Sequence, residues 1–211
     1  MTNQTINIAL FVSGNGTNCE NIIRYFSGSH TVNIALVLSN KPDAYALKRA
    51  SRLGVPTIVA DKKHFADPDV ILPLLNKYHI HFIVLAGFLL MIPDFLVRKY
   101  HHRMLNIHPA LLPKHGGKGM YGRHVHEAVK ADGDTVTGMT VHWVSDVCDG
   151  GEILRQYSVP LSPDDTVDDI ARKEHELEMR YFPQAIEEIV TSHAREILAA
   201  QNAPMRSKTS L

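Results

Sequence analysis

Cysteine is nearly absent from this chain, with only Cys19 and Cys148 among 211 residues. Two thiols in so long a chain make no disulfide framework, and reduced cysteines in a cytoplasmic protein are the simpler reading. Long hydrophobic runs are missing as well. The longest, Phe82 to Ile92, contains Gly87 and falls far short of the roughly 20 residues that cross a bilayer. The polar start, Met1-Thr2-Asn3-Gln4, leads into an apolar run too short for a signal peptide. Net charge is absent too: 22 Lys and Arg balance 22 Asp and Glu, which excludes a general electrostatic grip on nucleic acid or an anionic membrane. The 13 histidines include no His-Glu-x-x-His, and no Cys-x-x-Cys occurs, so no metal is expected; the spacing of His124 and His126 reads as coincidence. What remains is a chain that is 45% hydrophobic, enough for one globular domain with a sizeable core.

The apolar segments set an α/β order. Ile6 to Val12 and Val32 to Leu38 read as buried strands, Val55 to Val59 as a short strand and Phe82 to Ala86 as a central one. Between them Cys19 to Phe26, Asp43 to Leu53 (with Gly54 as its stop) and Asp67 to Tyr78 read as helices. Alternation of this kind predicts a parallel sheet with helices on both faces. The second half differs. Gly122 to Ala131 reads as a helix, and Thr137 to Val144 and Ile153 to Val159 as strands joined by a turn at Asp149-Gly150-Gly151, hence antiparallel neighbours. A helical region from Thr166 to about Ala200, interrupted near Pro183, would follow. Residues 1–200 are thus expected as one domain with a mixed sheet, and 201–211 as a flexible tail.

Three stretches carry chemistry. The run Leu105-Asn106-Ile107-His108-Pro109-Ala110-Leu111-Leu112-Pro113 puts an amide donor and an imidazole at a strand end, held by prolines that restrict the backbone. Some forty residues later comes a second strand, through His142, that ends in Asp146-Val147-Cys148-Asp149-Gly150-Gly151. Amide, histidine and carboxylate at strand ends form a proton-transfer constellation. Attack on a carbonyl carbon would build charge on its oxygen, which Asn106 and a charged His108 would stabilise, with Asp149 orienting the histidine or taking a proton. Cys148 is expected to pack inside, facing away from Asp149, Asp146 to cap the loop, and His142 to play a supporting structural part. The third stretch, Ser13-Gly14-Asn15-Gly16-Thr17-Asn18, joins the first strand to the first helix. It is neither a P-loop nor a dinucleotide fingerprint, yet its glycines and the helix N–H groups suit a single anion.

With Leu85-Ala86-Gly87-Phe88, these motifs make residues 6 to 190 resemble the folate-dependent phosphoribosylglycinamide formyltransferases of purine synthesis and one-carbon metabolism. The resemblance implies a Rossmann-like formyltransferase fold and transfer of a formyl group from 10-formyltetrahydrofolate to 5-phosphoribosylglycinamide, with no metal. It implies phosphate binding at Gly16, Thr17 and Asn18, a ribose or glycinamide contact at Glu178, and a pteridine slot along Leu89, Leu90, Met91 and Ile92, with Asn106 touching the folate. Many relatives carry arginine at Leu90, and another folate-contacting basic residue of some relatives aligns near Pro68; both departures bear on folate affinity. Relatives also tend to have a cis bond before the proline matching Pro113. A 10-formyltetrahydrofolate deformylase and a non-catalytic folate-binding module are the alternatives. The deformylase is disfavoured by the expectation that the chain begins at its first strand, and the module by an intact Asn106, His108 and Asp149. A methionyl-tRNA formyltransferase would need a nucleic-acid-binding addition. A homodimer is compatible with these features. The loop from Lys114 to Gly122, with four glycines, is expected to act as a lid.

Overall fold

The computed structural model describes the backbone of residues 5–202 and side chains up to residue 195. Seven strands form one sheet: β1 (Ile6–Val12), β2 (Val32–Ser39), β3 (Thr57–Val59), β4 (Phe82–Leu85), β5 (Met104–His108), β6 (Val136–Trp143) and β7 (Ile153–Pro160). Their spatial order is β3-β2-β1-β4-β5-β6-β7. The first five run parallel, and β6 and β7 are antiparallel to their neighbours. The mixed α/β sheet expected above is therefore present.

Helices cover the sheet unevenly, and that unevenness positions the site. On one face lie α1 (Thr17–Phe26), α2 (Tyr45–Arg52) and α7 (Val167–Asn202). Cys19, Ile22, Ile23 and Phe26 of α1 recur at three- and four-residue spacing, so one stripe faces the sheet and packs with Leu10, Val84, Leu105 and Val141. On the other face α3 (Lys62–Phe65), α4 (Pro68–Lys77) and α5 (Asp94–Lys99) cover Ala9, Phe11, Ile83, Leu85 and Met104. Asp67 caps α4 by accepting the Asp69 N–H, and Pro68 sits in the first turn, where a missing N–H costs nothing. This second layer ends at Met104. Beyond it, β5 and β6 turn polar side chains to the same face, and loops cover them instead of a helix. A seventh helix, α6 (Arg123–Ala131), packs Val125 and Val129 against Ile170.

Several boundaries differ from the sequence reading. The short helices α3 and α5 were not expected, being too brief to show a period. The strand expected over Phe82 to Ala86 ends at Leu85, and beyond it lies a loop with Leu89 and Met91 54% and 65% exposed. The β6–β7 connection is no tight turn but spans residues 144–152. Pro183 does not interrupt α7. A proline inside a helix costs about 3 kcal/mol. Phe182, Ile186, Ile189 and Val190 are nonetheless buried on the sheet, at roughly 1.5–3 kcal/mol each, and that outweighs the break. Residues 201 and 202 continue this helix, and the remainder of the expected tail, 203–211, lies outside the described residues.

Candidate active site

Alternation along β5 puts Asn106 and His108 on one face of the sheet, and the antiparallel register sets His142 opposite Asn106 and Thr140 opposite His108. Four polar side chains thus share a surface that no helix covers. Thr140 is fully buried; its hydroxyl donates to the Ala110 carbonyl (2.6 Å) and accepts from the Leu112 N–H (3.0 Å). These bonds fasten the chain after His108, where the Leu112–Pro113 bond is cis, as the resemblance implied.

The loop after β6 folds back over this surface and delivers Asp149. Gly151 allows that return, because a Cβ there would collide with the Trp143 carbonyl. Asp149 itself has φ +53, a left-handed conformation that Asp and Asn tolerate better than other side chains. One carboxylate oxygen accepts the Gly117 N–H at 3.0 Å and lies 3.4 Å from His108 Nδ1. The other lies 3.4 Å from Asn106 Nδ2 and 3.7 Å from His142 Nε2. The three residues singled out in the sequence are therefore brought together across more than forty positions. Burial pushes the Asp149 carboxyl up, but His142, the Gly117 N–H and His108 together outweigh it, and the group stays below the usual carboxylate range.

His108 departs from expectation. Burial is its largest influence and lowers its pKa, more than Asp149 raises it, so Asp149 does not keep the resting imidazole charged. Nε2 donates to the His115 carbonyl at 2.8 Å, which leaves Nδ1 facing the carboxylate. His142 donates Nδ1–H to the Trp143 carbonyl (2.9 Å) and meets Asn106 Nδ2 at 3.1 Å, so it orients the amide. Neither the His115 carbonyl nor the Gly117 N–H was identified from sequence. Backbone groups carry no residue signature, although both lie in the glycine-rich loop that was.

Neighbouring strands bring two more segments to the same sheet edge. β4 lies between β1 and β5, so the loops after β1 and β4 open beside Asn106, at the carboxyl ends of the parallel strands where the strand order reverses. Neighbouring strands are about 4.8 Å apart, which sets the glycine loop roughly 10 Å from His108. Ser13 ties the two loops together: its N–H donates to the Gly87 carbonyl (3.0 Å) and its hydroxyl accepts the Leu89 N–H (2.9 Å). Ser13 was likewise not given this part in the sequence reading.

A family model described as formyl transferase matches residues 6–186. The chain belongs to the formyl transferase family. A chloroplastic phosphoribosylglycinamide formyltransferase from Arabidopsis thaliana is 39% identical over 81% of this chain, which spans 62% of that relative's length. A phosphoribosylglycinamide formyltransferase from Haemophilus influenzae is 38% identical over 85% of this chain and 84% of its own. The solved phosphoribosylglycinamide formyltransferase structure from Anaplasma phagocytophilum superposes with a TM-score of 0.81 at 31% identity, covering 90% and 89% of the two chains. The resemblance read from the motifs is borne out.

In this formyltransferase the glycine loop is built for close approach. Gly16 has φ +79 at the start of α1, and a Cβ there would strike Ala46. Thr17 and Asn18 lie in the first helical turn, whose N–H groups have no partner within the helix. Asn18 Nδ2 donates to Glu178 Oε2 at 2.8 Å, so two residues predicted for one substrate do meet, from α1 and α7. Leu90 and Ile92 tuck against the apolar cluster under α4 and α5, while Leu89 and Met91 project outward. Pro68, opening α4, offers no charge. Cys148 is exposed rather than packed, with its sulfur 3.7 Å from Asp149. Asp146 is also exposed, and the Ser145 hydroxyl closes the turn on Val147 instead. Among the described residues no group of three or more side chains could hold a metal ion, and no helix is long and apolar enough to cross a membrane.

Proposed function

We propose that this formyltransferase moves the formyl group of 10-formyltetrahydrofolate to the amine of 5-phosphoribosylglycinamide, in purine biosynthesis and in the cytoplasm. The observation that carries this reading is the meeting of Asn106, His108 and Asp149 on one helix-free patch of the sheet. Gly16, Thr17 and Asn18 would take the phosphate through backbone N–H groups, and Glu178 a ribose hydroxyl. The folate would lie along Leu89 to Ile92, with the exposed Leu89 and Met91 offering apolar surface and the backbone offering polar recognition.

The amine nitrogen forms a bond to the formyl carbon as the carbonyl oxygen gains negative charge. An Asn106 amide hydrogen, only loosely engaged by Asp149 at 3.4 Å, is available to that oxygen. The amine proton passes to the His108–Asp149 pair, because a neutral imidazole with Nε2–H fixed by His115 presents Nδ1 as the base. The carboxylate then stabilises the imidazolium. As the carbon–nitrogen bond to the folate breaks, the proton leaves the pair for folate N10. The Lys114–Gly122 loop supplies the Gly117 and His115 backbone contacts, which supports its role as a lid over the formyl group.

The test is absorbance of the folate product from purified protein and 10-formyltetrahydrofolate, with and without the glycinamide. Turnover that requires the amine supports transfer; equal turnover with water alone means a deformylase.

A further inference from the structure

Behind Glu178 lies a second carboxylate that the mechanism does not use. Glu174, one helical turn earlier on α7, is only 3% exposed. Its Oε1 has no hydrogen-bond partner, and its Oε2 is 3.9 Å from His126 Nε2 of α6, beyond hydrogen-bond range. His126 is itself buried, its Nδ1 unpartnered, and burial lowers its pKa, so it offers Glu174 no fixed positive charge near neutral pH. An ionised carboxylate here would be both desolvated and unpaired, a state costly enough that such groups take up a proton instead. A protonated carboxyl needs an acceptor. Glu178 stands four residues further along α7, the spacing at which helix side chains meet, and its Oε2 already accepts from Asn18 Nδ2 (2.8 Å) and faces His175 Nδ1 (3.4 Å).

We infer that Glu174 is a positioning residue: held protonated, it donates its O–H to Glu178 and fixes that carboxylate against Asn18 for the amine substrate. Burial first, and then the Glu178 charge, raise the Glu174 carboxyl well above its ordinary range, which agrees. A protonated Glu174 adds no second negative charge beside the substrate-facing carboxylate. A carboxylate has about four lone-pair sites. With Asn18, His175 and Glu174 on three of them, one remains for a hydroxyl of the ligand. This inference rests on the reading of Glu178 as a substrate contact.

Three variants and one spectrum test it in the full-length protein. Glu174→Gln keeps a donor toward Glu178 and should leave the Michaelis constant for the glycinamide within about twofold of wild type. Glu174→Leu removes the donor at similar volume and should raise that constant about tenfold, what loss of a hydrogen bond to a charged group gives. The folate constant and kcat should stay put. Glu178→Gln should raise the glycinamide constant at least as far. If it does so while Glu174→Leu does not, the inference about Glu174 falls and the substrate reading survives. If Glu178→Gln has no effect, the substrate reading falls and takes the inference with it. A uniform loss in kcat and both constants for Glu174→Leu would mean a merely structural residue and overturn the inference. Should Glu174→Leu fail to fold, the infrared difference spectrum of wild type minus Glu174→Gln decides. A protonated-carboxyl band at neutral pH supports a protonated Glu174, and its absence refutes it.

Discussion

Replacing Asp149 by asparagine isolates the charge at the centre of this site. The backbone at 149 has φ +53, which asparagine tolerates as aspartate does, whereas alanine would add strain. The amide oxygen can still accept the Gly117 N–H, so the loop keeps its anchor. What is lost is the negative charge 3.4 Å from His108 Nδ1. At an effective dielectric constant near 20, a unit charge at that distance is worth about 5 kcal/mol to an imidazolium. Removing a positioned acid–base partner typically costs roughly 100- to 10,000-fold in rate, about 3–5 kcal/mol. The two figures agree, and kcat is expected to fall about 1,000-fold (about 4 kcal/mol). Stability should change far less. A repositioned amide hydrogen beside Asn106 Nδ2 costs about 1–2 kcal/mol, or a melting temperature lower by roughly 2–8 °C. The assay is initial rate by folate absorbance at saturating substrates, alongside thermal unfolding of the same samples. A variant that melts near wild type and turns over within threefold of it would refute the proton-transfer role.

Three further outcomes follow from the same geometry. Because burial holds the His108 pKa below its ordinary 6.5, kcat/KM should fall on the acid side only below pH 6.5. Stability should decline in the same window, since the unfolded chain binds that proton first as pH drops; an acid limb at or above 6.5 would contradict both. Thr140→Val is nearly isosteric but strands the buried Leu112 N–H and Ala110 carbonyl, and should cost about 2–4 kcal/mol in denaturant unfolding. A cost under 0.5 kcal/mol would show those groups re-paired. Shortening the Lys114–Gly122 loop should lower transfer and raise the fraction of folate cleaved without formylated product; an unchanged ratio would make the loop a mere connector.

Local pattern was enough to read the order of the long elements and the chemistry of the site's side chains. Hydrophobic runs such as Ile6–Val12 announce strands buried on both faces, and Cys19, Ile22, Ile23 and Phe26 announce a one-sided helix. Asn106 and His108 alone would pass for structural residues; they stood out because a second strand leads to the carboxylate of Asp149 and the flanking motifs resemble one family. Other features depend on atoms far apart in the chain. Pro183 looked like a break because propensity is local, but the burial that carries α7 through it belongs to the sheet. The protonation of His108 depends on the dryness created by two loops folding over it, and no residue spacing encodes that. Glu174 is an ordinary helix charge when read alone. Only the packing of α1, α6 and α7 takes it out of water, and burial in so dry a place raises its carboxyl well above the ordinary range.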